Sequence, residues 1–581
     1  MSFPKIKCLP LVVKMDSMKR IIWKYIGLSV LSAVLLILPW RLPAAGWLLL
    51  FAFVPLFWIE ADFAENRAKG CWKYYALTFL LWNLFTTYWI YKATLWGGVF
   101  AVLANAFLTF CVFALFRWAK KRSGPKIGYI FLIALWIAWE YFYFDAEISW
   151  PWLVLGNGFG DTTMLVQWYE YTGVLGGSLW VMLFNILLFW RMRYKPKDAA
   201  TGRYLGGSLA ALILLPIGLS LYRYYSYREV ENPIEVVVLQ PNIDPYHEKF
   251  EGGAYSLTRE AQDERLLELI AQAISPATGY VFAPETFISE PSVVENEWQK
   301  NPSLQRFDRF LQDYPQMAMV VGAVSTLFYH SRTEQPTETA RRFGVDSWYD
   351  NFNTAFQLSA GEAPMIYRKS KLVIGAEKLP YIRYFKFAHS LIIDLGGAMG
   401  GFGTQSEASV FPAPWNRHTS DTTPAPLYVG VAICYESVYG EYFASYVKKG
   451  AGIMSVITND GWWGNTPGYR QHLAFSRLRA IETRRSIARS ANTGISALID
   501  QRGDYIQKSR WWEESYLVGN LNINHKLTFY VRHGDMIGRI SVYLLVLLLF
   551  YSLVSVKYRR SAGPDKGTVG QRRRGNKVAQ A

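Results

Sequence analysis

The sequence predicts a bundle of about eight transmembrane helices joined to one large α/β domain. Hydrophobic residues make up 51% of the 581-residue chain and aromatic residues 16%, yet the mean hydropathy is only +0.08. Such a chain has to combine an apolar part with a soluble part. The two parts are also separated, because the long apolar runs lie before residue 222 and after residue 539.

Membrane spans are predicted where an apolar run reaches about 20 residues, the length that crosses a hydrocarbon core of ~30 Å. Residues 1–20 and the basic residues 558–581 flank these spans, and about 310 residues between spans seven and eight have the character of one globular domain, expected over 230–525. The eight runs lie at 21–39, 43–60, 74–92, 95–117, 127–146, 173–191, 204–222 and 539–557.

The orientation of these spans follows from the basic residues of short loops, which face the cytoplasm. The loops after spans four and six and both ends of the chain are basic, whereas the stretch EYFYFDAEISWPW between spans five and six is acidic and aromatic. Cytoplasmic termini and an outward-facing domain are therefore expected. Loops and a tail lying against anionic headgroups account for most of the net charge of +16, so we expect no nucleic-acid partner.

Within the domain, apolar strand-like runs alternate with amphipathic stretches, which is typical of an α/β fold. Helices are predicted over 257–275, 304–311 and 469–489. The runs predicted as strands are IEVVVLQ, YVFAPE, MVVGAVS, NTAFQLS, LYVGVAI, GIMSVIT, GISALID and YLVGNLN.

The four cysteines limit the chemistry of the domain. Cys8, Cys71 and Cys111 lie near or within predicted spans, and Cys434 is alone in the domain. No disulfide can form inside the domain. A solitary thiol outside the cytoplasm favours a reactive role, and the alternative is an inert buried cysteine that packs as a small hydrophobe.

Three residues carry the predicted chemistry. Cys434 follows the apolar run 427–433, Glu285 follows YVFAP, and Lys369 lies in YRKSKLVIGAEKLP with Glu377 eight residues beyond it. A carboxylate, an amine and a thiol in this chain order resemble the Glu-Lys-Cys triad of the nitrilase superfamily. The stretch SVITNDGWWGNTPGYRQHLAFSRLRAIETRRSIARSANTGISALID is similar to the apolipoprotein N-acyltransferase family, the branch of that superfamily fused to membrane helices.

The resemblance implies an α-β-β-α sandwich for the domain and a role for each triad residue. Glu285 is expected to act as general base and then acid, Lys369 to stabilise the oxyanion, and Cys434 to carry the acyl group. Whether the Cys434 thiolate is favoured stays open, because the lysine favours it and the carboxylate opposes it. No metal or cofactor is implied, and the seven histidines show no ligand spacing.

Supporting residues follow from the same resemblance. Glu377 is expected to orient the lysine or the thiol, Tyr435 and Glu436 to support the nucleophile, and Asn353 to lie near the site. The alternative for Glu377 and Glu436 is a surface ion pair. The family commonly has P-F-G-E where this chain has I-G-A-E at 374–377, so the turn before Glu377 differs.

Substrate-binding residues are expected around an acyl chain. Trp152 matches a P-W motif of the family, or else it is an interfacial belt aromatic, and Trp462 and Trp463 match the loop after the nucleophile. Phe250 replaces a family tryptophan, which changes that part of the pocket. The apolar, glycine-rich stretch 381–403 suits an arm at the bilayer surface, or else an ordinary packed loop.

The resemblance implies acyl transfer from a phospholipid, through a cysteine thioester, to the α-amine of a diacylglyceryl-cysteine at an apolipoprotein N-terminus. The expected enzyme is a monomer of the bacterial inner membrane with its catalytic domain on the periplasmic side. A membrane-tethered amidase using water is one alternative, against which eight helices argue. A non-catalytic scaffold is the other, which the retained triad disfavours.

Overall fold

The computed structural model describes residues 9–194, 196, 198–249, 255–378, 401–417 and 426–561. Helices before and after the strands form what we call the membrane bundle. Its members are α1 (Leu9–Ile37), α2 (Val54–Glu65), α3 (Trp72–Thr87), α4 (Leu95–Ser123), α5 (Pro125–Tyr143), α6 (Tyr169–Arg193), α7 (Ala199–Ser226) and α13 (Met536–Ser561).

Within the described residues, six stretches are long and apolar enough to cross a membrane: Lys19–Trp40, Gly46–Glu65, Leu95–Ser123, Tyr169–Arg193, Ala199–Ser226 and Met536–Val554. The chain is therefore a multi-pass membrane protein. The predicted spans 74–92 and 127–146 fall on α3 and α5, which have 16 and 19 residues and are not among the six. A total of eight spans stays a prediction.

Aromatic side chains fill the centre of the membrane bundle. Phe53 lies between Trp136, at 5.0 Å between ring centroids, and Phe113, at 6.0 Å, and both Phe53 and Phe113 are fully buried. Aromatic pairs in these tilted and stacked arrangements add to the gain from burial. The bundle is thus a packed core and can act as a rigid base for the domain that follows it.

The α/β domain begins at β1, soon after α7, and ends at α12. Its helices are α8 (Arg259–Ala273), α9 (Pro302–Leu311), α10 (Gly440–Lys448), α11 (Pro467–Thr483) and α12 (Phe529–His533). Its strands are β1 (Pro233–Gln240), β2 (Thr278–Phe282), β3 (Ile288–Val294), β4 (Ala318–His330), β5 (Arg341–Arg342), β6 (Ser347–Ser359), β7 (Met365–Arg368), β8 (Val410–Pro412), β9 (Tyr428–Ile433), β10 (Ala451–Thr458), β11 (Ile487–Ala491), β12 (Ala497–Ile499), β13 (Tyr505–Lys508) and β14 (Ser515–Asn522).

Two sheets are formed by these strands. The first has the order β14-β1-β2-β4-β6-β5, with β3 beside β4 and β7 beside β6, and the second has the order β13-β12-β11-β10-β9-β8. β1, β2 and β4 are parallel, as are β9, β10 and β11. Parallel strands are usually buried on both faces, and β2, β10 and β11 are fully buried.

The order of layers is helix, sheet, sheet, helix. α8 and α9 pack on one face of the first sheet through Leu266, Ile270 and Phe307. The other face packs against the second sheet, whose far side is covered by α10 and α11. The predicted α-β-β-α sandwich is confirmed.

The helix predicted over 469–489 is wrong at its end. α11 stops at Thr483 because Arg484 adopts a left-handed backbone, with φ 49°. Residues 487–491 instead form β11, a central strand paired with β10 and β12. The three arginines of this stretch, Arg484, Arg485 and Arg489, are all buried, and each donates hydrogen bonds to a carboxylate or a backbone carbonyl.

Gly173 lies where the α/β domain packs on the membrane bundle. Its φ of 60° bends α6, and a Cβ atom there would lie 2.3 Å from the ring of Tyr530 in α12. Only glycine leaves space for that ring at this backbone conformation. The domain is therefore seated directly on α6.

Candidate active site

The three predicted triad residues meet where the two sheets face each other. Glu285 follows β2, Lys369 follows β7 directly, and Cys434 follows β9 directly. Their side chains are 7%, 1% and, for the whole cysteine residue, 7% exposed. The structure therefore brings a carboxylate, an ammonium and a thiol from distant parts of the chain into one buried site.

Hydrogen bonds link the members of this site. The Lys369 ammonium donates to Glu285 Oε1 at 2.9 Å and to Glu377 Oε1 at 3.0 Å. The Asn353 amide donates to the same two oxygens, at 2.8 and 2.7 Å. The Cys434 thiol lies within range of the Glu285 charge. Two carboxylates, the lysine and the asparagine thus form a closed ring beside the thiol.

The electrostatics define the resting state of the site. Burial alone would raise the pKa of Glu285, but the charge of Lys369 and the hydrogen bonds from Lys369 and Asn353 together outweigh burial and hold this pKa below its usual value. Burial would lower the pKa of Lys369, and the charges of Glu285 and Glu377 hold it well above the usual value. Burial and the Glu285 charge raise the pKa of the Cys434 thiol well above its usual range. The resting thiol is therefore neutral and needs a base.

Glu377 is turned toward the lysine. Its Oε2 accepts a hydrogen bond from the Val373 backbone N–H at 2.8 Å, and its side chain is 13% exposed. The turn at 374–377 differs from the family pattern but still places the Glu377 carboxylate at the site. It does so because Gly375 takes a φ of 84° and its N–H donates to the carbonyl of Lys378. A surface ion pair is thus wrong for Glu377.

Glu436 is fully buried, so a surface ion pair is wrong for this residue too. Its carboxylate joins the strand of the nucleophile to the segment of the lysine. Burial raises its pKa, against the hydrogen bonds that it accepts. The donors are Tyr367 Oη at 2.6 Å, Ser370 N at 2.7 Å, Ile433 N at 2.8 Å and Tyr446 Oη at 3.0 Å.

Tyr435, the residue after the nucleophile, contacts the membrane bundle. Its hydroxyl donates to the carbonyl of Ser149 at 3.1 Å. Its ring stacks on Trp150 and Trp152, with centroids 6.1 and 6.5 Å away. The nucleophile is thereby one residue from the membrane part of the protein.

The predicted substrate-binding tryptophans occupy different positions. Trp152 is 1% exposed, so a membrane-belt position is wrong for it, and its indole N–H donates to Gln471 Oε1 at 2.7 Å. Trp463 packs on Trp152, with centroids 5.8 Å apart. Trp462 lies to the side, where its carbonyl accepts from the Tyr246 hydroxyl. Phe250 and residues 381–400 of the expected arm lie outside the described residues.

Sequence reasoning missed three buried polar residues next to the nucleophile: Asp460, His472 and Arg489. They lie after β10, in α11 and in β11, and β10 is the strand beside β9 in the second sheet. Asp460 follows the carboxyl end of a parallel strand next to that of the nucleophile, which is a signal that the sequence already contained. His472 had no comparable signal, since its partners are 12 and 38 residues away.

Comparisons with known proteins agree with this architecture. Residues 236–525 match the carbon-nitrogen hydrolase family, and residues 32–187 match the apolipoprotein N-acyltransferase N-terminal domain. An apolipoprotein N-acyltransferase of Chlorobaculum tepidum is 28% identical over 84% of this chain and 89% of its own length. One of Bdellovibrio bacteriovorus is 26% identical over 90% and 92%. An amidase from Nesterenkonia sp. has a TM-score of 0.33 and 14% identity over 52% of this chain and 95% of its own.

The fold and the site therefore define the class of this protein. It is a membrane-bound enzyme with a carbon–nitrogen hydrolase domain on its membrane helices. Within that class, the match to the apolipoprotein N-acyltransferase N-terminal domain covers most of the membrane bundle. The chain belongs to the apolipoprotein N-acyltransferase family.

Proposed function

We propose that this protein transfers an acyl chain from a phospholipid to the α-amine of an apolipoprotein's N-terminal diacylglyceryl-cysteine, by ping-pong chemistry on Cys434. The observation that carries the proposal is that a neutral Cys434 thiol shares one buried site with the Glu285 carboxylate, which the Lys369 ammonium helps to keep ionised. An ionised carboxylate beside a neutral thiol is the arrangement that a base-activated nucleophile needs.

In the first half-reaction, Glu285 takes the thiol proton as the sulfur of Cys434 attacks the ester carbonyl of the phospholipid. The tetrahedral oxyanion forms within reach of the Lys369 ammonium, which stabilises it. The carbon–oxygen bond then breaks, and Glu285 returns the proton to the leaving alkoxide. The products are lysophospholipid and an acyl thioester on Cys434.

In the second half-reaction, the neutral α-amine of the lipoprotein attacks the thioester carbonyl. Glu285 takes a proton from the nitrogen, the carbon–sulfur bond breaks, and the Cys434 thiolate recovers that proton. Glu377 accepts a hydrogen bond from Lys369, and Asn353 donates to both Glu285 and Glu377. These contacts keep Lys369 and Glu285 in place during both steps. An amide and a free thiol result.

Contacts between the surroundings of Cys434 and the membrane bundle support a lipid as the acyl donor. Tyr435 bonds to Ser149, and Gln471 of α11 accepts from the indoles of Trp152 and Trp89 at 2.7 and 3.2 Å. An amidase for soluble substrates has no need of such contacts. These contacts support a reaction at the membrane surface, with phospholipid as donor and a diacylated lipoprotein as acceptor.

The test uses the purified full chain in detergent with a phospholipid that carries a labelled acyl chain. Intact mass of the wild type is expected to show one added acyl group, removable by hydroxylamine, and a diacylated lipopeptide should then take up the label. Cys434→Ser should show neither. Release of free fatty acid with no label on the lipopeptide would favour the amidase-like alternative with water as acceptor, and no acylation at all would favour the scaffold.

We further propose that the protein is a monomer in the bacterial inner membrane with the α/β domain on the periplasmic side. The basic loops and termini support this orientation. Single cysteines placed in a background without any of the four native cysteines test it. A membrane-impermeant thiol reagent should label a cysteine at position 513 in intact spheroplasts, and one at position 570 only after lysis.

A further inference from the structure

A second polar cluster lies behind the nucleophile, separate from the ring of Glu285, Lys369, Glu377 and Asn353. It consists of Asp460, His472 and Arg489, each at most 1% exposed. Buried charged groups are costly unless they are paired and hydrogen-bonded. A fully buried cluster of this kind next to a catalytic thiol therefore calls for a role.

His472 makes contacts through both ring nitrogens. Nε2 is 3.1 Å from the carbonyl oxygen of Cys434 and 2.9 Å from Ser437 Oγ. Nδ1 is 2.9 Å from Asp460 Oδ1 and 3.1 Å from an Arg489 guanidinium nitrogen. The imidazole thus bridges the backbone of the nucleophile and a buried carboxylate.

The partners of His472 fix where its proton lies. A backbone carbonyl only accepts hydrogen bonds, so Nε2 has to carry a hydrogen to bond the carbonyl of Cys434. Asp460 is ionised, because Arg489 and His472 outweigh its burial and lower its pKa to about 2. Arg489 in turn donates to Asp460 Oδ2 at 2.6 Å. Burial lowers the pKa of His472, so the ring is neutral and Nδ1 accepts a hydrogen bond from Arg489 at 3.1 Å. Asp460 thus holds the ring through Arg489.

The carbonyl that His472 binds belongs to a strained residue. Cys434 has a φ of 50°, in the left-handed region that residues with a side chain rarely adopt. Glycine is the usual solution at such a position, but the chemistry requires a thiol. The surrounding structure has to hold the conformation in place, and besides His472 the Ser437 hydroxyl donates to the same carbonyl at 2.8 Å.

We propose that His472, held by Asp460, is a positioning residue that fixes the Cys434 carbonyl and thereby aims the thiol at the Glu285 carboxylate. It takes no part in proton transfer to the substrate. This role rests on Cys434 being the nucleophile of the proposed function. Loss of the Nε2 hydrogen bond should slow formation of the acyl-enzyme and leave the concentration of phospholipid at half-saturation unchanged, because the lipid does not touch this cluster.

The test compares two amide replacements of the same ring. In His472→Gln the side-chain amide reaches the position of Nε2 and keeps a donor for the Cys434 carbonyl, whereas in His472→Asn it reaches only the position of Nδ1. Acyl-enzyme formation is measured in single turnovers by quenching and intact mass. His330→Gln, at the end of β4 and away from the site, is the matched control.

We expect His472→Asn to slow acylation about 100-fold, the order of effect of losing one positioning contact, and His472→Gln to lose at most about tenfold. Both variants should have similar Tm values. If both variants lose the same fraction of the acylation rate, together with an equal fall in Tm, the role of His472 is purely structural and the proposal is overturned. Acylation rates equal to that of the control would overturn it as well.

A second donor separates this inference from the proposed function. A soluble activated acyl ester acylates a competent thiol without any lipid recognition. If the wild type forms the thioester from this ester but never from phospholipid, the proposed function fails, and the comparison of the Gln and Asn variants on the ester still decides the role of His472. Asp460→Asn should behave as His472→Asn does with both donors, because it releases the ring, and full activity of Asp460→Asn would contradict the proposal.

Discussion

The Glu436 carboxylate accepts a hydrogen bond from the backbone N–H of Ser370 at 2.7 Å. Glu436 is two residues from the nucleophile Cys434, and Ser370 follows Lys369 directly. One buried carboxylate thus sets the position of the lysine segment relative to the turn of the nucleophile. The triad depends on this contact as much as on its own three side chains.

Glu436→Gln is expected to reduce both activity and stability. An amide in place of the carboxylate turns an NH₂ group toward donors that need an acceptor, and each buried donor left unpaired costs about 1–3 kcal/mol. Thermal unfolding in detergent and acyl-enzyme formation measure the two effects. Tyr446→Phe, which removes one donor and keeps the carboxylate, should lower the Tm much less, and an equal fall in both variants would contradict the assignment.

Cys434→Ser is expected to abolish transfer, by at least about a thousandfold, while the protein remains folded. A serine hydroxyl is far less acidic than a thiol, and Glu285 is a weak base for it. Glu285→Gln should likewise prevent the thioester from forming, since the thiol proton has no acceptor. Label transfer to a diacylated lipopeptide is the measurement, and substantial turnover of the serine variant would refute the nucleophile.

The pH dependence of Cys434 alkylation tests the charge balance of the site. Burial and the Glu285 charge raise the pKa of this thiol, so iodoacetamide should react slowly near pH 7 and faster as the pH rises beyond about 8.5, the usual thiol pKa. Glu285→Gln removes one negative charge and should move the profile to lower pH. A profile that stays in place or moves to higher pH in this variant would show that Glu285 does not face the thiol.

The other cysteines should be dispensable together. Cys71 and Cys111 are free thiols in the membrane bundle, where neither takes part in the site, and Cys8 lies outside the described residues. The triple serine variant of Cys8, Cys71 and Cys111 is expected to keep its activity and to bind one equivalent of a thiol reagent under denaturing conditions. Loss of acylation in that variant would mean that the reactive thiol lies elsewhere.

Gln471→Leu is expected to loosen the α/β domain from the membrane bundle. Gln471 accepts from two indoles, and its amide donates to the carbonyls of Trp40 and Thr86 at 3.0 and 3.2 Å. Leucine removes this partner from the buried Trp152 indole and Trp40 carbonyl, whereas the Trp89 indole and the Thr86 carbonyl keep the hydrogen bond between them. Hydrogen exchange of residues 467–483 should rise, whereas the neighbouring Arg470→Leu, at an exposed position, should leave it unchanged. Unaltered exchange in Gln471→Leu would show that the junction rests on other contacts.

The sequence by itself determined the class of fold, and it predicted the three triad residues that the structure brings into one site. Apolar runs reveal membrane segments because every backbone group in lipid has to be bonded within its own helix. Strands buried on both faces leave a continuous apolar signal, so the run before Cys434 and the one before Glu285 could be recognised with the reactive residue at the end of each. Each of these signals depends only on residues that are neighbours in sequence, so the sequence alone is enough to recognise it.

The tertiary structure decided how those residues act. That the thiol is neutral at rest depends on burial and on a carboxylate about 150 residues away in sequence. The end of α11 and the strand β11 were misjudged because buried arginines look like solvated ones until their partners are known. His472 could not be assigned from its neighbours in sequence, since what matters is its contact with a carbonyl 38 residues away. Pairing between distant segments fixes charge and position, and neither can be read from the local pattern of one segment.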